Sequence, residues 1–578
     1  MGSGQSDGGH AEGHDFCYVI KLQENDNVGV ALGELEPGQS YPLVTYEGKR
    51  IREITIPTEQ PPWYGSGDKG PVTIRKYYKV ATEAILKNSP IVKDGCPIGI
   101  AAEPVEPGQV VHQGIRNESG RLIRTGGNIQ EYPNLFAPPP HRLQSLSEHY
   151  EVLREGLNRP PSFRTPDHVP SPDTILAYPR PGGTFGVRDH ILVIPTVFCV
   201  NTEAQQIADA FSNDSWGECG ENCVHALTHT SGCCQLGFDE EATLRVLSNM
   251  ACHPNVGAVL IIALGCSPFC VQDRFYKEVR QRRENDVHLV HVQSSGWTAT
   301  IAEGRQWVSE KLGRLRSRKR QKVSVSDLVL AVKCGASDLT SGLFANTAIG
   351  HVADQVLHQN GSVVVSEIME YFGAERALKE KCRDDSVWMD LLRYIKTNEM
   401  IGKAVALAAE RDLHSSELTV GNVEAGLSTQ EEKSLGAIRK MGFEHRIENV
   451  VRFGESVLGH RHGLYVVDGP GQDLLSTSGM CAAGAQVVLF STGIGSPLGS
   501  AVSPVIKVTG NEHTARQHAD FIDLFVPFQR MITEGAAIKE IAMEVLYREV
   551  VAVAEGKRTK TEINRHRDFA IRNYTMVQ

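Results

Sequence analysis

Residues 226–273 decide the fold: ALTHTSGCCQLGFDEEATLRVLSNMACHPNVGAVLIIALGCSPFCVQD. A turn centred on His229 and Cys233 opens the stretch. A helical pattern follows, with Leu244, Leu247 and Met250 on one face. Residues 256–264 are then almost continuously apolar and rich in Val, Ile and Leu, the pattern of a parallel strand buried on both faces. The strand ends in Gly265-Cys266. In open α/β sheets ligands collect at the carboxyl ends of strands. Consecutive strand ends are therefore expected to deliver Cys233 and Cys266 to one crevice.

The same grammar extends in both directions. Apolar strand patterns recur at 191–197, 287–292, 328–333, 362–367, 463–468, 485–491 and 505–509, with helical patterns between them. This alternation predicts an α/β fold with largely parallel sheets. Residues 17–120 read differently, as short strands separated by turns, and predict a small β domain. Residues 121–178 are rich in proline and predict a linker, and residues 1–16 a disordered tail. The expected organisation is thus tail, β domain, linker, an α/β domain over 179–415 and a second over 416–578. No internal repeat is evident.

Composition narrows the function. A chain of 578 residues is long enough for several cores. Its formal charge of −10 excludes a face-wide basic excess and with it a nucleic-acid partner. No apolar run reaches the length of a membrane span, and the first residues lack the apolar core of a signal peptide. Thirteen cysteines are too sparse for a disulfide scaffold. A reducing, cytoplasmic setting with free or metal-bound thiols is expected.

Cys233, Cys266 and Cys334 each stand in or after a glycine turn that follows an apolar segment. Three thiolates suit iron, as an iron-sulfur cluster with one open iron or as mononuclear Fe2+, and such an iron is a Lewis acid for a hydroxy acid. Cysteine is equally a small buried hydrophobe, and no CxxC pair links these three. His229 has the residue type for proton transfer, or is a hydrogen-bonded core histidine. Asp338, Glu367 and Glu370 form an acidic group at strand ends, suited to a cation or to acid–base work, or to helix capping. Lys433 can hold a carboxylate or form a surface ion pair. In the β domain, Asp26, Asn27 and His112 offer metal ligands, or turn-formers.

Taken in order, these motifs resemble the altronate and galactarate dehydratases, whose relatives include sulfolactate sulfo-lyase. The likeness runs from Lys21 to about Lys560. It is carried by Asp26-Asn-Val-Gly-Val-Ala-Leu, Gly186-Val-Arg188, His229-Thr-Ser-Gly-Cys-Cys-Gln235, Leu264-Gly-Cys266, Cys334-Gly-Ala-Ser-Asp338, Phe344-Ala-Asn346, Glu367-Ile-Met-Glu370 and Glu432-Lys-Ser-Leu-Gly436. The resemblance implies an N-terminal SAF domain and an iron-dependent hydro-lyase that removes water from a hydroxylated carboxylate to leave a 2-keto-3-deoxy acid. It implies iron held by Cys233, Cys266 and Cys334, proton transfer by His229 or His112, and Lys433 with Arg188 on the carboxylate. Asn201, Thr230, Gln235, Ser337, Asp338, Asn346, Glu367, Asn422 and Thr492 fall in its substrate-binding motifs. A small hydroxy acid is the expected partner, and a homo-oligomer the expected assembly. The sequence departs from the family pattern at His112-Gln-Gly114, Val420-Gly-Asn-Val-Glu-Ala-Gly426, Thr492-Gly-Ile-Gly495 and Ser267-Pro-Phe-Cys270. Two lost cations imply a substrate with fewer or differently placed anionic groups. The alternatives are a C–S lyase of the sulfolactate type and a non-catalytic binding homologue.

Overall fold

The structure, a computed structural model, describes residues 17–61, 63–64, 72–113, 115–116, 122–123, 127–130, 173–211, 223–233, 235, 237–264, 271–408 and 418–574. The expected tail, most of the expected linker and Cys266 lie outside the described residues. Those described divide into two compact units. Among them, no helix is long and apolar enough to cross a membrane.

The first unit falls within residues 1–132, 423–432 and 530–535. Its strands are β1 (Val19–Lys21), β2 (Val28–Ala31), β3 (Ser40–Thr45), β4 (Arg50–Thr55), β5 (Lys79–Ala81), β6 (Pro90–Lys93), β7 (Cys96–Ala101), β8 (Val110–Val111), the hairpin β9 (Ile115–Arg116) with β10 (Leu122–Ile123), and β11 (Ile129–Gln130). They form a six-stranded sheet of order β4-β3-β1-β2-β5-β8, a three-stranded sheet β11-β7-β6 and the hairpin. Val19, Ala31, Leu43, Val80 and Val110 fill the core. Against the expectation of no internal repeat, the structure shows one. Residues 31–40, 81–90 and 101–110 take the same course of strand end, bend, single bridge residue and turn. Leu35, Ile85 and Val105 are the bridge residues. All three copies begin with alanine, and the first and third also share Glu-Pro-Gly-Gln, at 36–39 and 106–109. The expected β domain is therefore present, but two segments from far along the chain complete it, which local patterning cannot reveal.

The second unit holds the α/β structure. A small antiparallel sheet is made by β12 (Thr174–Pro179), β13 (Phe185–Gly186) and β18 (Gln321–Ser324). A four-stranded sheet comprises β14 (His190–Pro195), β15 (Val224–Ala226), β16 (Val256–Ala263) and β17 (Val287–His291), in the order β15-β14-β16-β17. Every pairing in it is parallel. All eight residues of β16 are buried, as its unbroken apolar run requires. On β14 the period-2 alternation sends Leu192 and Ile194 into one core and Ile191 and Val193 into another. Helices Asn201–Asp209 and Trp297–Arg316 cover the second face.

A seven-stranded sheet comprises β19 (Val329–Gly335), β20 (Ser362–Val365), β21 (Ile447–Val451), β22 (Leu464–Val467), β23 (Val487–Thr492), β24 (Val505–Thr509) and β25 (Leu524–Phe525). Its order is β21-β22-β20-β19-β23-β24-β25, again all parallel. The chain winds outward from β19 through β20 to the edge strand β21, steps back to place β22 between β21 and β20, then crosses to β23 on the other side of β19. The order thus reverses between β19 and β23, and a doubly wound sheet opens its ligand crevice at such a point. The expected domain division near residue 415 falls inside this sheet. The seam runs instead between β17 and β19, because β19 and β20 pair with strands more than a hundred residues away. One core fills the space between the two large sheets, from Leu192, Ile194 and Val259 to Ala331, Val364, Val488 and Phe490. Each such side chain stabilises the fold by roughly 1.5–3 kcal/mol.

Candidate active site

The carboxyl edge of the seven-stranded sheet carries a buried chain of alternating charges. β19 ends in Lys333-Cys334-Gly335, and β20 runs into Ser366-Glu367 and the 3-10 turn Ile368–Tyr371, which holds Glu370. Asp473 begins the helix Asp473–Ala482 after β22. Lys433 lies on the helix Gln430–Ile438, and Lys440 in the turn Arg439–Met441 that follows it.

From one end, Asp473 Oδ1 lies 2.8 Å from Lys333 Nζ, which lies 2.5 Å from Glu367 Oε1. Glu367 Oε2 lies 2.7 Å from Lys440 Nζ, and Lys440 Nζ 3.2 Å from Glu370 Oε2. Glu370 Oε1 lies 3.6 Å from Lys433 Nζ. The Lys440 ammonium donates to Cys334 Sγ at 2.9 Å, and the Cys334 thiol donates to Glu370 Oε2 at 3.2 Å. The centre is dry, since Lys333, Lys440 and Glu367 side chains are 0% exposed. Its ends reach water, with Asp473 29% and Lys433 10% exposed.

Burial and charge oppose each other throughout. Burial alone would raise the Glu367 carboxyl, but the ammoniums of Lys333 and Lys440 outweigh it and hold the group below the usual glutamate range. Burial would lower Lys440 and Lys333, but their carboxylate partners hold both above the usual lysine range. Burial, with Glu370, pushes the Cys334 thiol up to about 12, so it is a neutral thiol at pH 7. Three anions and three cations remain, a balanced set that can stay ionised out of water.

The backbone is bent to build this. Glu367 has φ +73° and Ala336 φ +49°, both in the left-handed region. Each such residue costs roughly 1–3 kcal/mol, and such strain concentrates where structure holds a functional group in place. Two glycines allow the close approach. A Cβ on Gly335 would lie 2.3 Å from Asp473 Oδ1. A Cβ on Gly342 would lie 2.9 Å from Gly436 Cα, so helix Gln430–Ile438 can seat against the turn Ser341–Ala345 only with glycine at the crossing.

Of the residues marked in the sequence, Cys334, Glu367 and Lys433 meet here, joined through Glu370. Lys333, Lys440 and Asp473 were missed. Lys333 gave a weak signal, a lysine closing an apolar strand. Lys440, in Arg-Lys-Met-Gly, reads as a solvated helix end. Cys334 groups with two carboxylates and not with Cys233. Cys233 packs against the core cluster on the outer face of the four-stranded sheet.

Most of the other marked residues are occupied in holding turns. Both ring nitrogens of His229 are engaged, Nε2 with Pro195 O at 2.8 Å and Nδ1 accepting from Ser231 N at 3.1 Å. Burial also lowers its pKa. It is a satisfied core histidine. Arg188 spends five donors on Glu562 Oε1 and Oε2 and the carbonyls of Val187, Val553 and Lys557. No donor is left for a substrate carboxylate. Asn201 pairs with the backbone of His229, and Gln235 with Gly232, Thr243 and Asn573. Asp338 accepts from Thr340, Ser341 and Asn511, the capping alternative. Asn346 binds Gly436 and Ser491; Asn422 binds Thr419 and the carbonyl of Ser337; Thr492 accepts from Gly495 N. Thr230 is exposed.

In the first unit, Asp26 accepts from the backbone of Leu22, Gln23 and Gly95, so it is the turn-former rather than a ligand. His112 Nε2 lies 3.0 Å from Val423 O, its ring stacks on Tyr78, and burial with nearby Lys79 lowers it to about 3. Glu432 is clamped by Lys79 and Lys93, each at 2.8 Å. Burial opposes its ionisation, but the two lysines pull it down to about 2.

Two groups offer metal ligands among the described residues, Cys334–Glu367–Glu370 and His190–Cys223–His225. One sulfur and two carboxylate oxygens suit a borderline divalent cation. In the first group, however, Lys440 Nζ stands 2.7–3.2 Å from a ligand atom of each residue. The site supplies its own cation where a metal would sit, and the two do not fit together.

Comparison with known proteins identifies the chain. Residues 177–316 match the model of the D-galactarate dehydratase/altronate hydrolase second domain, and residues 325–577 that of the D-galactarate/altronate dehydratase C-terminal domain. Altronate dehydratase of Escherichia coli is 30% identical, over 96% of this chain and 98% of that protein. Altronate dehydratase of Bacillus subtilis is 28% identical over the same shares. The (2R)-sulfolactate sulfo-lyase subunit beta of Chromohalobacter salexigens is 30% identical over 69% of this chain and 97% of that subunit. These likenesses define the class, a carbon–oxygen lyase. The chain belongs to the D-galactarate/altronate dehydratase family.

Proposed function

We propose that this enzyme dehydrates a polyhydroxylated carboxylate of the sugar-acid class to a 2-keto-3-deoxy acid, at the carboxyl edge of the seven-stranded sheet. The observation that carries this is the charge-alternating chain with two water-reaching ends, Asp473 and Lys433. Lys433 binds the substrate carboxylate. Asp473 accepts the proton from the carbon α to it. The C–H electron pair forms the C=C bond, the β C–O bond breaks, and the hydroxyl leaves as water with the proton that Asp473 took. The enol then takes a solvent proton at the β carbon and gives up its O–H proton to solvent, leaving the keto acid. Removing the α proton places further negative charge on the carboxylate, and a preorganised ammonium offsets such charge best in a dry site. Lys333 and Lys440 keep Glu367 ionised, and Cys334 orients Glu370.

Bound iron would add Lewis-acid charge at a substrate oxygen. The Cys334 group offers it no place beside Lys440, and none of these steps uses it. Incubation with a panel of aldonic and aldaric acids tests the proposal by 2-keto acid formation. Wild-type turnover, with Lys433→Met reduced ~100-fold or more in kcat/KM, supports it. Unchanged kcat/KM in Lys433→Met overturns the site. The sulfo-lyase relative motivates a second reading, which sulfite release from sulfolactate would favour.

A further inference from the structure

His190, Cys223 and His225 lie at the opposite, amino edge of the four-stranded sheet. Cys223 immediately precedes β15, and His225 is its central residue. Residues two apart on a strand share a face, so the Cys-x-His spacing sends both side chains the same way. β14 lies alongside and begins at His190, with Ile191 paired to Val224 and Leu192 to His225. The His190 and His225 rings meet edge to face at 4.8 Å. One ligand atom from each residue falls within 4.8 Å of the other two, and all three residues are buried.

Three further observations point to an ion. The side chains line a small cavity of about 20 Å³ with Ser500, Ser503, Glu562 and His566. That is room for one ion or one water. Among the described residues, His225 Nδ1 has no hydrogen-bond partner although the residue is 5% exposed, and His566 Nδ1 has none either. A buried polar atom left unpaired costs about 1–3 kcal/mol, and coordination would satisfy it. The backbone that presents the ligands is fixed, since Ile191 N donates to Cys223 O and His190 N to Asn255 O.

We propose that His190, Cys223 and His225 bind a thiophilic transition-metal ion, zinc(II) or copper(I), distinct from the reaction site. Two imidazoles and one thiolate form a soft-to-borderline donor set with one position left for water. Arg188 and Arg180 near His190 are paired with Glu562 and Asp189, and Arg558 and Arg567 also line the cavity. Two imidazoles and a thiolate are not the oxygen ligands that magnesium or calcium takes. The ion fastens the amino ends of β14 and β15 beside the 558–567 segment.

The test is metal loading of the full chain after chelation, with zinc alone and with copper(I) alone. Cobalt(II) serves as the spectroscopic probe. Wild type and a surface-thiol control, Cys199→Ser, should bind one equivalent that Cys223→Ser and His225→Ala lack. The thiolate-to-cobalt charge-transfer band should vanish in Cys223→Ser and persist in Cys199→Ser. His190→Gln, which keeps buried volume, should weaken binding at least tenfold while preserving the circular dichroism of the fold. Equal metal content in wild type, Cys223→Ser and His225→Ala, or none in wild type, overturns the proposal.

Discussion

Replacing Lys440 by methionine tests the network most sharply. The side chain is fully buried, and its ammonium serves Cys334, Glu367 and Glu370 at once. Methionine fills similar volume and removes one positive charge. Three carboxylates then face two ammoniums, Lys333 and Lys433, and Glu370 keeps the longer ammonium contact at 3.6 Å and the Cys334 thiol. Removing one partner of a buried pair typically costs about 3–5 kcal/mol. The double variant Lys440→Met/Glu370→Leu removes the pair together and should recover most of that loss, giving a coupling of roughly 2 kcal/mol or more. Equilibrium denaturation of the four proteins of the cycle measures it. The pH dependence has a fixed sign. Glu367 is depressed in the folded state, so its contribution is present above the ordinary glutamate pKa and is lost as pH falls through the depressed value. The gap between wild type and Lys440→Met should therefore narrow in acid. A variant within about 1 kcal/mol of wild type at pH 7, or strictly additive single changes, would refute the reasoning.

Other predictions follow from single contacts. Arg188→Lys should lower stability by about 3–5 kcal/mol through loss of the fork on Glu562, yet leave KM of the folded enzyme unchanged; a raised KM with intact stability would restore Arg188 to substrate binding. His229→Gln should leave the pH–rate profile in place while destabilising the protein by about 1–3 kcal/mol, read from thermal unfolding. In the first unit, Glu432 contributes stability that is full above pH 4.5 and lost as pH falls toward about 2, an interval worth roughly 3 kcal/mol. Glu432→Gln should abolish that acid-sensitive portion of the denaturation midpoint, and an unchanged acid profile would contradict the clamp.

The sequence showed the strands because burial on both faces imposes a continuous apolar run, as in β16, and showed the strand-end turns because close approach forces glycine, as at Gly335. Cys334, Glu367 and Lys433 stood out in the sequence because each sits in such a turn or beside an acidic pair. Lys440 could not be found that way. Its inward course depends on the Gly342–Gly436 crossing, a contact between segments about ninety residues apart. The polar residues near His229 and Asp338 were read as ligand-facing, yet turns at strand ends need hydrogen-bonded caps as much as ligands do. The Cys-x-His pair at 223–225 did not stand out in the sequence, because His190 joins it only through parallel pairing. The division near residue 415 failed because a doubly wound sheet returns to its first strand after long excursions.

The central claim is that Asp473 and Lys433, joined through the buried network, remove water from a hydroxy acid. Turnover in deuterated water measures it most directly. The account predicts one solvent deuteron at the former β carbon of a 2-keto acid product from wild type, with product formation lost in both Asp473→Asn and Lys433→Met. Keto-acid formation at wild-type rates by either variant would contradict it.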